Sequence, residues 1–243
     1  MKIFVVNPNS TASMTETIRL SALRVAAPGT QIIAATIAGA PASIEGYADE
    51  ARSVPGMLDA IRQAEAQGAL ATVLACFDDP GLSAAREVAS GPVIGICQAG
   101  IQVAVTIAAR FSIVTTLPRS VPIIEDLVDA YGATRQCRKV RSVNLPVLAL
   151  EEDPANAFAR LRTEIRRAIN EDGAEAVLLG CAGMAEMCHA LQEETGVPVI
   201  DGVSAAVKLA EALVGGGFAT AKGGSFAFPR DKGPMGLRPV VGG

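Results

Sequence analysis

The sequence predicts an α/β fold made of two pseudo-symmetric lobes, each built on a mostly parallel four-stranded sheet, with a ligand cleft between them. Three observations predict it. Half of the 243 residues are hydrophobic, only 4% are aromatic and none is Trp. That Ala, Val, Ile, Leu and Gly-rich profile suits helices packed on strands buried on both faces. Short β-branched runs alternate with helical stretches, the pattern of parallel sheets. The order of these elements then repeats once along the chain.

Taken in order, the strands are "KIFVV" (2–6), "TQIIAATI" (30–37), "ATVLA" (71–75) and "PVIGI" (92–96). They continue with "RFSIVTT" (110–116), "SVNLPVLAL" (142–150), "AEAVLLG" (174–180) and "VPVID" (197–201). The first helix, "STASMTETIRLSALRVAA", opens on Ser and Thr cap candidates and stops at Pro28-Gly29. "SVPGMLDAIRQAEAQG" ends at Gly68, and "DPGLSAAREVAS" opens with Asp79 as cap and Pro80 as first helical residue. "PANAFARLRTEIRRAINEDG" carries a stripe of Ala157, Leu161, Ile165 and Ile169 flanked by Arg.

The duplication is legible in spacing. Asn7 to Cys76 is 69 residues and Thr115 to Cys181 is 66; Cys76 to Pro92 is 16 and Cys181 to Pro198 is 17. Each half runs strand, turn, helix, strand, helix, strand ending in Cys, helix, strand. Ligands in open α/β sheets bind beyond the carboxyl ends of strands. Two Rossmann-like lobes related by a pseudo-two-fold axis bring those ends, and both cysteines, to one cleft. The expected division is 1–97 plus about 202–243 for the first lobe and 98–201 for the second. A Gly/Pro-rich tail (215–243) is expected as an extended arm, with Phe226 and Phe228 as anchors.

A formal charge of -4 gives no basic footprint and excludes nucleic acid as partner. No apolar run is long enough to span a bilayer, and "MKIFVVNPNS" passes into turn residues rather than a signal peptide. The expectation is a cytoplasmic protein with reduced thiols, and five cysteines, an odd number, argue further against a disulfide framework.

Cys97, Cys137 and Cys188 read as small hydrophobes. Cys76 and Cys181 stand at equivalent strand ends, where active sites form. Each precedes a turn and a helix start, which favours a thiolate, while Asp78 and Asp79 oppose it near Cys76. No metal is expected, because there is no CxxC and the one histidine, His189, neighbours Cys188 at no recurring ligand spacing. That histidine reads as a surface helix residue rather than the base of a Cys nucleophile. Two thiols without a metal suit acid–base chemistry at an acidic C–H. A thiolate removes the proton from one face and a thiol returns one to the other, so the pair shares a proton. The developing enolate needs donors. Candidates are the backbone N–H groups of Phe77, Ala182 and Gly183, then Asn9 and Ser10, and Thr115, Thr116 and Ser120. No nucleotide-binding fingerprint is present, and no cofactor is expected.

"FVVNPNSTASMTETI", "ACFDDPGLSAARE", "PVIGIC", "FSIVTTLPRSVPIIEDLV", "GCAGMAEM" and "VPVIDGVSAAVKLAEAL" together resemble the hydantoin racemases of the aspartate/glutamate racemase superfamily. The resemblance runs to about Leu213. It implies cofactor-independent two-base racemisation, homo-oligomers, and Cys76 and Cys181 in the positions of the family's two catalytic cysteines. The superfamily's amino-acid racemases follow these cysteines with Asn-Thr and Thr-His. Here Phe77-Asp78 and Ala182-Gly183 follow, which suits a less charged, substituted ring. The small-molecule substrate expected is a 5-monosubstituted hydantoin, with allantoin, itself a 5-ureidohydantoin, as alternative. Arylmalonate decarboxylases keep one of the two cysteines. Maleate isomerases keep both, so that chemistry stays open, as does a non-catalytic clamp on a small ligand. The loop "GAPASIEGYADEARSVPG" (39–56) is expected as a mobile wall, with Ile44, Glu45 and Gly46 near the ring.

Overall fold

A computed structural model describes residues 1–231. Two four-stranded parallel sheets form the frame. The first contains β1 (Lys2–Asn7), β2 (Gln31–Thr36), β3 (Ala71–Leu74) and β4 (Val93–Gly95) in the order β2-β1-β3-β4. The second contains β5 (Phe111–Thr115), β6 (Cys137–Ser142), β7 (Ala176–Gly180) and β8 (Val199–Asp201) in the order β6-β5-β7-β8. The two orders coincide when β1 is matched to β5, as the duplication predicts.

Period-two alternation divides the core into three parts. On β1, Ile3 and Val5 face a central cluster that also takes Phe111 and Ile113 of β5. Phe4 and Val6 face outward onto α2 (Tyr47–Ala66) and α3 (Leu82–Val88), with Met57, Ile61 and Ala85. Across the molecule, Val177 and Leu179 face α7 (Pro154–Arg167) through Leu161 and Ile165.

The central cluster is filled by α1 (Ala12–Val25), α4 (Ile96–Ile107), α5 (Val121–Ala130) and α9 (Gly202–Gly215). Helices α4 and α9 each follow the last strand of their sheet and pack together. Their starts come so close that a Cβ on Gly202 would fall on the Ile96 carbonyl. Likewise, Gly100 leaves room for Leu178 of β7. Among the described residues, no helix is long and apolar enough to cross a membrane.

Several expectations need correction. The second lobe's edge strand is "CRKVRS", not "SVNLPVLAL"; residues 143–148 form a loop before the short α6 (Ala149–Glu152). Arg138 and Lys139 lie exposed on this edge, so it lacks an apolar run, while Leu145 and Val147 are buried as loop residues. Cys137 opens this strand. Helix α2 begins at Tyr47, so half of the expected loop wall is helical and Pro55 lies inside the helix. Thr11 occupies the N-cap of α1 without a side-chain cap bond; its hydroxyl donates instead to the Ala42 carbonyl at 2.7 Å.

Asp79 does not cap α3, which starts at Leu82 after Gly81. Asp79 has a φ of 43°, and its carboxylate accepts N–H bonds from Cys97 (3.2 Å) and Gln98 (3.0 Å) at the start of α4. The tail as far as residue 231 lies along the first lobe. Lys222 donates to the carbonyls of Arg86, Glu87 and Phe226, and stands 4.2 Å from the Phe228 ring centre. The rest of the tail, 232–243, lies outside the described residues.

Candidate active site

The carboxyl ends of the two central strand pairs open on one small cavity of about 30 Å³. Cys76 lies two residues past β3, and Cys181 one residue past β7. Both line the cavity, together with the expected Asn9, Ile44, Phe77, Thr115, Thr116 and Ala182. Four expected residues, Ser10, Glu45, Gly46 and Gly183, do not line it. Ser10 is exposed on its turn, where its N–H bonds Pro41 O at 2.9 Å. Gly46 caps α2 against the Arg119 guanidinium. Gly183 sits behind Cys181, with its N–H opposing the rise of the thiol pKa.

Asn7, Met14, Ala75, Asp78, Val147 and Gly180, with the expected donor Ser120, complete the wall. Asn7 ends β1 as Thr115 ends β5, so the strand-end rule applied to both halves finds it. Val147 was hidden in a stretch that reads as a strand.

The polar turn after β1 is rigid. Asn7 Nδ2 donates to Asn9 Oδ1 (2.8 Å) and Thr15 Oγ1 (2.9 Å), and Asn9 Oδ1 also accepts Thr11 N–H (2.9 Å). Asn9 Nδ2 is left with a weak acceptor, Met14 Sδ at 3.0 Å. Thr115 Oγ1 donates to the Gly180 carbonyl at 2.9 Å, tying β5 to the residue before Cys181. The buried hydroxyls of Thr116 and Ser120 remain to meet a ligand.

Burial pushes both thiols up, Cys181 to about 12 and Cys76 well above its ordinary value. The Asp78 charge raises Cys76 further. In each case the backbone N–H two residues on, Asp78 or Gly183, opposes the rise. The late start of α3 leaves Cys76 without a helix N-terminus directly behind it, and burial wins. Asp78 and Asp79 are themselves raised by burial to about 7.

The other thiols have structural surroundings. Cys97 is fully buried in the central cluster, and Cys188 donates to the Val199 carbonyl at 2.9 Å. His189 is exposed on α8 (Cys188–Thr195), four residues from Glu193.

Two matched sheets with a thiol at each inner strand end define a two-lobed α/β enzyme of the racemase type. Residues 3–210 match the model of the Asp/Glu/hydantoin racemase family, and the chain belongs to that family. It is therefore an isomerase. A hydantoin racemase from Rhizobium meliloti is 65% identical over 236 residues, covering 97% of this chain and 98% of that one. An allantoin racemase from Klebsiella pneumoniae is 50% identical, with a TM-score of 0.95, covering 97% of this chain and 96% of that one. The allantoin racemase structure from Pseudomonas fluorescens is 40% identical, with a TM-score of 0.93, covering 97% of this chain and 100% of that one.

Proposed function

We propose that the protein racemises 5-monosubstituted hydantoins by a 1,1-proton transfer between Cys76 and Cys181. The observation that carries this reading is the shared cavity: both thiols line it from pseudo-equivalent strand ends. The name of the Rhizobium meliloti relative supports the substrate. The lobe division drawn from the sequence, 1–97 with about 202–243 against 98–201, belongs to the same reading.

In the proposed reaction one cysteine is a thiolate and the other a neutral thiol. The thiolate takes the C5 proton; the C–H electron pair moves into the C5–C4 bond and charge develops on the C4 oxygen. Thr116 and Ser120 hydroxyls donate to that oxygen. The opposite thiol then protonates C5 on its other face and is left as the thiolate. The reverse direction uses the same groups with their protonation exchanged. Substrate binding excludes water from a cavity whose walls are Phe77, Ile44, Met14 and Val147.

A second reading keeps the mechanism and changes the ring substituent: allantoin in place of an alkyl or aryl hydantoin. The Klebsiella pneumoniae structure, at 50% identity, favours it. Proton NMR in D2O tests both, using enantiopure 5-substituted hydantoins and allantoin side by side. Enzyme-dependent loss of the C5–H signal with falling optical rotation is expected, and the faster substrate selects the reading. Cys76→Ala and Cys181→Ala should each lower racemisation by at least about a thousandfold while keeping the fold, the scale expected when an essential acid or base is lost. Wild-type protein with no exchange on either substrate would sink the proposal.

A further inference from the structure

Among the described residues, the cavity wall carries one ionisable group besides its two thiols, the Asp78 carboxyl, and no Lys, Arg or His lines it. Asp78 is 8% exposed, and its carboxyl oxygens accept no hydrogen bond among the described residues. Its charged surroundings are acidic: Asp79 is adjacent, and Glu50 on α2 acts on it through space. Glu50 Oε1 is itself buried without a hydrogen-bond partner. Asp78 lines the cavity, where its carboxyl oxygens can accept from a ligand donor.

We propose that Asp78 is a specificity-determining residue that accepts the N1–H of a cyclic ureide, the N–H carried on the reacting carbon. This rests on the reading of the substrate as a hydantoin or allantoin. N1 is bonded directly to C5, so a carboxyl two residues from the thiol that serves C5 meets N1 rather than the distal N3. The same carboxyl disfavours a substrate bearing a carboxylate, which would meet acids and no cation. Burial raises the Asp78 carboxyl to about 7, so the carboxylate and the acid are both populated near neutral pH, and each offers an acceptor oxygen.

A site built around a buried acceptor rejects an analogue that lacks the matching donor, because the acceptor is left unpaired. The discriminating analogue is a 5-substituted oxazolidine-2,4-dione. Its ring oxygen replaces N1–H at almost equal size, while its C5–H, C4 carbonyl and N3–H are retained. Exchange of C5–H in D2O, divided by each ring's spontaneous exchange rate, gives the enzyme's preference. Wild type is expected to prefer the hydantoin by more than tenfold. Asp78→Ala should bring the preference below threefold. Asp78→Asn, whose amide can turn an N–H toward the ring oxygen, should abolish or invert it.

A purely structural role for Asp78 would slow both rings alike and leave the wild-type ratio unchanged, which overturns the proposal. So does a wild-type enzyme that never distinguishes the rings. If wild type exchanges neither ring, the substrate reading fails by itself. Calorimetric Kd values for hydantoin and dione, with Cys76→Ala protein with and without Asp78→Asn, then test the Asp78 contact separately. Equal ratios there overturn it.

Discussion

The Tyr131 hydroxyl donates a 2.9 Å hydrogen bond to Asp79 Oδ2, tying the helix after β5 to the turn that carries Cys76. The same carboxylate holds the first N–H groups of α4, so a single side chain joins three elements. Tyr131→Phe removes the donor and keeps the ring. The loss is expected at about 1.5–3 kcal/mol, the usual contribution of a hydrogen bond to a charged group. Urea unfolding would show it as a lower midpoint with an unchanged slope. The bond also favours the Asp79 carboxylate, so its pKa should rise further in the variant.

Gly95 exists where it does because of Asp79: a Cβ at this position would fall on the Asp79 carboxyl. The obstruction is a carboxylate locked by three bonds, not the end of a free side chain. Gly95→Ala should therefore cost more than about 3 kcal/mol, or prevent soluble expression, through overpacking and broken bonds together. Gly196→Ala is the comparison, since nothing stands within 4 Å of its added Cβ. That variant should lose only about 1 kcal/mol, from its left-handed φ. Similar thermal midpoints for the two would refute the packing argument.

Stability should fall as the pH rises from about 4 to 8. Asp78 and Asp79 are raised to about 7 from an ordinary value of 3.8. Between these values the native state holds protons that the unfolded chain has released, so the slope of stability against pH is negative. The contribution is fully present below the unfolded value and is lost as the pH passes about 7. Three units at ~1.4 kcal/mol each bound the effect at ~4 kcal/mol per group, less because the two are neighbours. Asp78→Asn should flatten the profile in chemical denaturation at pH 5 and pH 8. Glu171, held near 2 by Arg167 and Arg141, acts in the opposite sense, but only as the pH falls below about 4.5 toward 2.

The strands were legible because both sheets are parallel and buried, so seven of eight read as apolar runs. The eighth failed for a physical reason. The edge strand β6 meets solvent through Arg138 and Lys139, a pattern that blunts edge pairing, while the apolar loop behind it supplies Leu145 and Val147. The candidate site was legible where repetition marked it, at Cys76, Cys181, Asn9 and Thr115. It was illegible where position depends on a long-range partner. Asp79 looks like a local cap in "DDP", yet its partners lie on α4 and α5. Neither separation nor composition reveals that.

The raised thiols predict an alkaline rise in reactivity. At neutral pH, Cys76 is chiefly the neutral thiol, and its thiolate population grows as pH approaches the raised value. Iodoacetamide alkylation of Cys76, followed by mass spectrometry from pH 6 to 10, should climb throughout. Since the Asp78 charge contributes to the rise, Asp78→Asn should shift the alkylation profile to lower pH. A shift to higher pH, or none, would contradict the electrostatic assignment.

Two loops from opposite halves meet at the cavity. Glu45 Oε1 accepts the Val147 N–H at 2.9 Å and also the Ser43 hydroxyl at 3.3 Å. Ile44 and Val147, the neighbours in this bridge, both line the cavity, so the bond sets the distance between two apolar walls. Glu45→Ala leaves the Val147 N–H unpaired and frees both loops, whereas Glu45→Gln retains a carbonyl acceptor. The expected pattern is a KM raised about tenfold by Ala, near 1.4 kcal/mol, with Gln closer to wild type. The turnover number should move less than KM, because Glu45 does not line the cavity and the two cysteines proposed to react stand at the strand ends. Steady-state racemisation kinetics read both constants from one data set. A loss of turnover at unchanged KM would place Glu45 in the chemistry instead of in the wall.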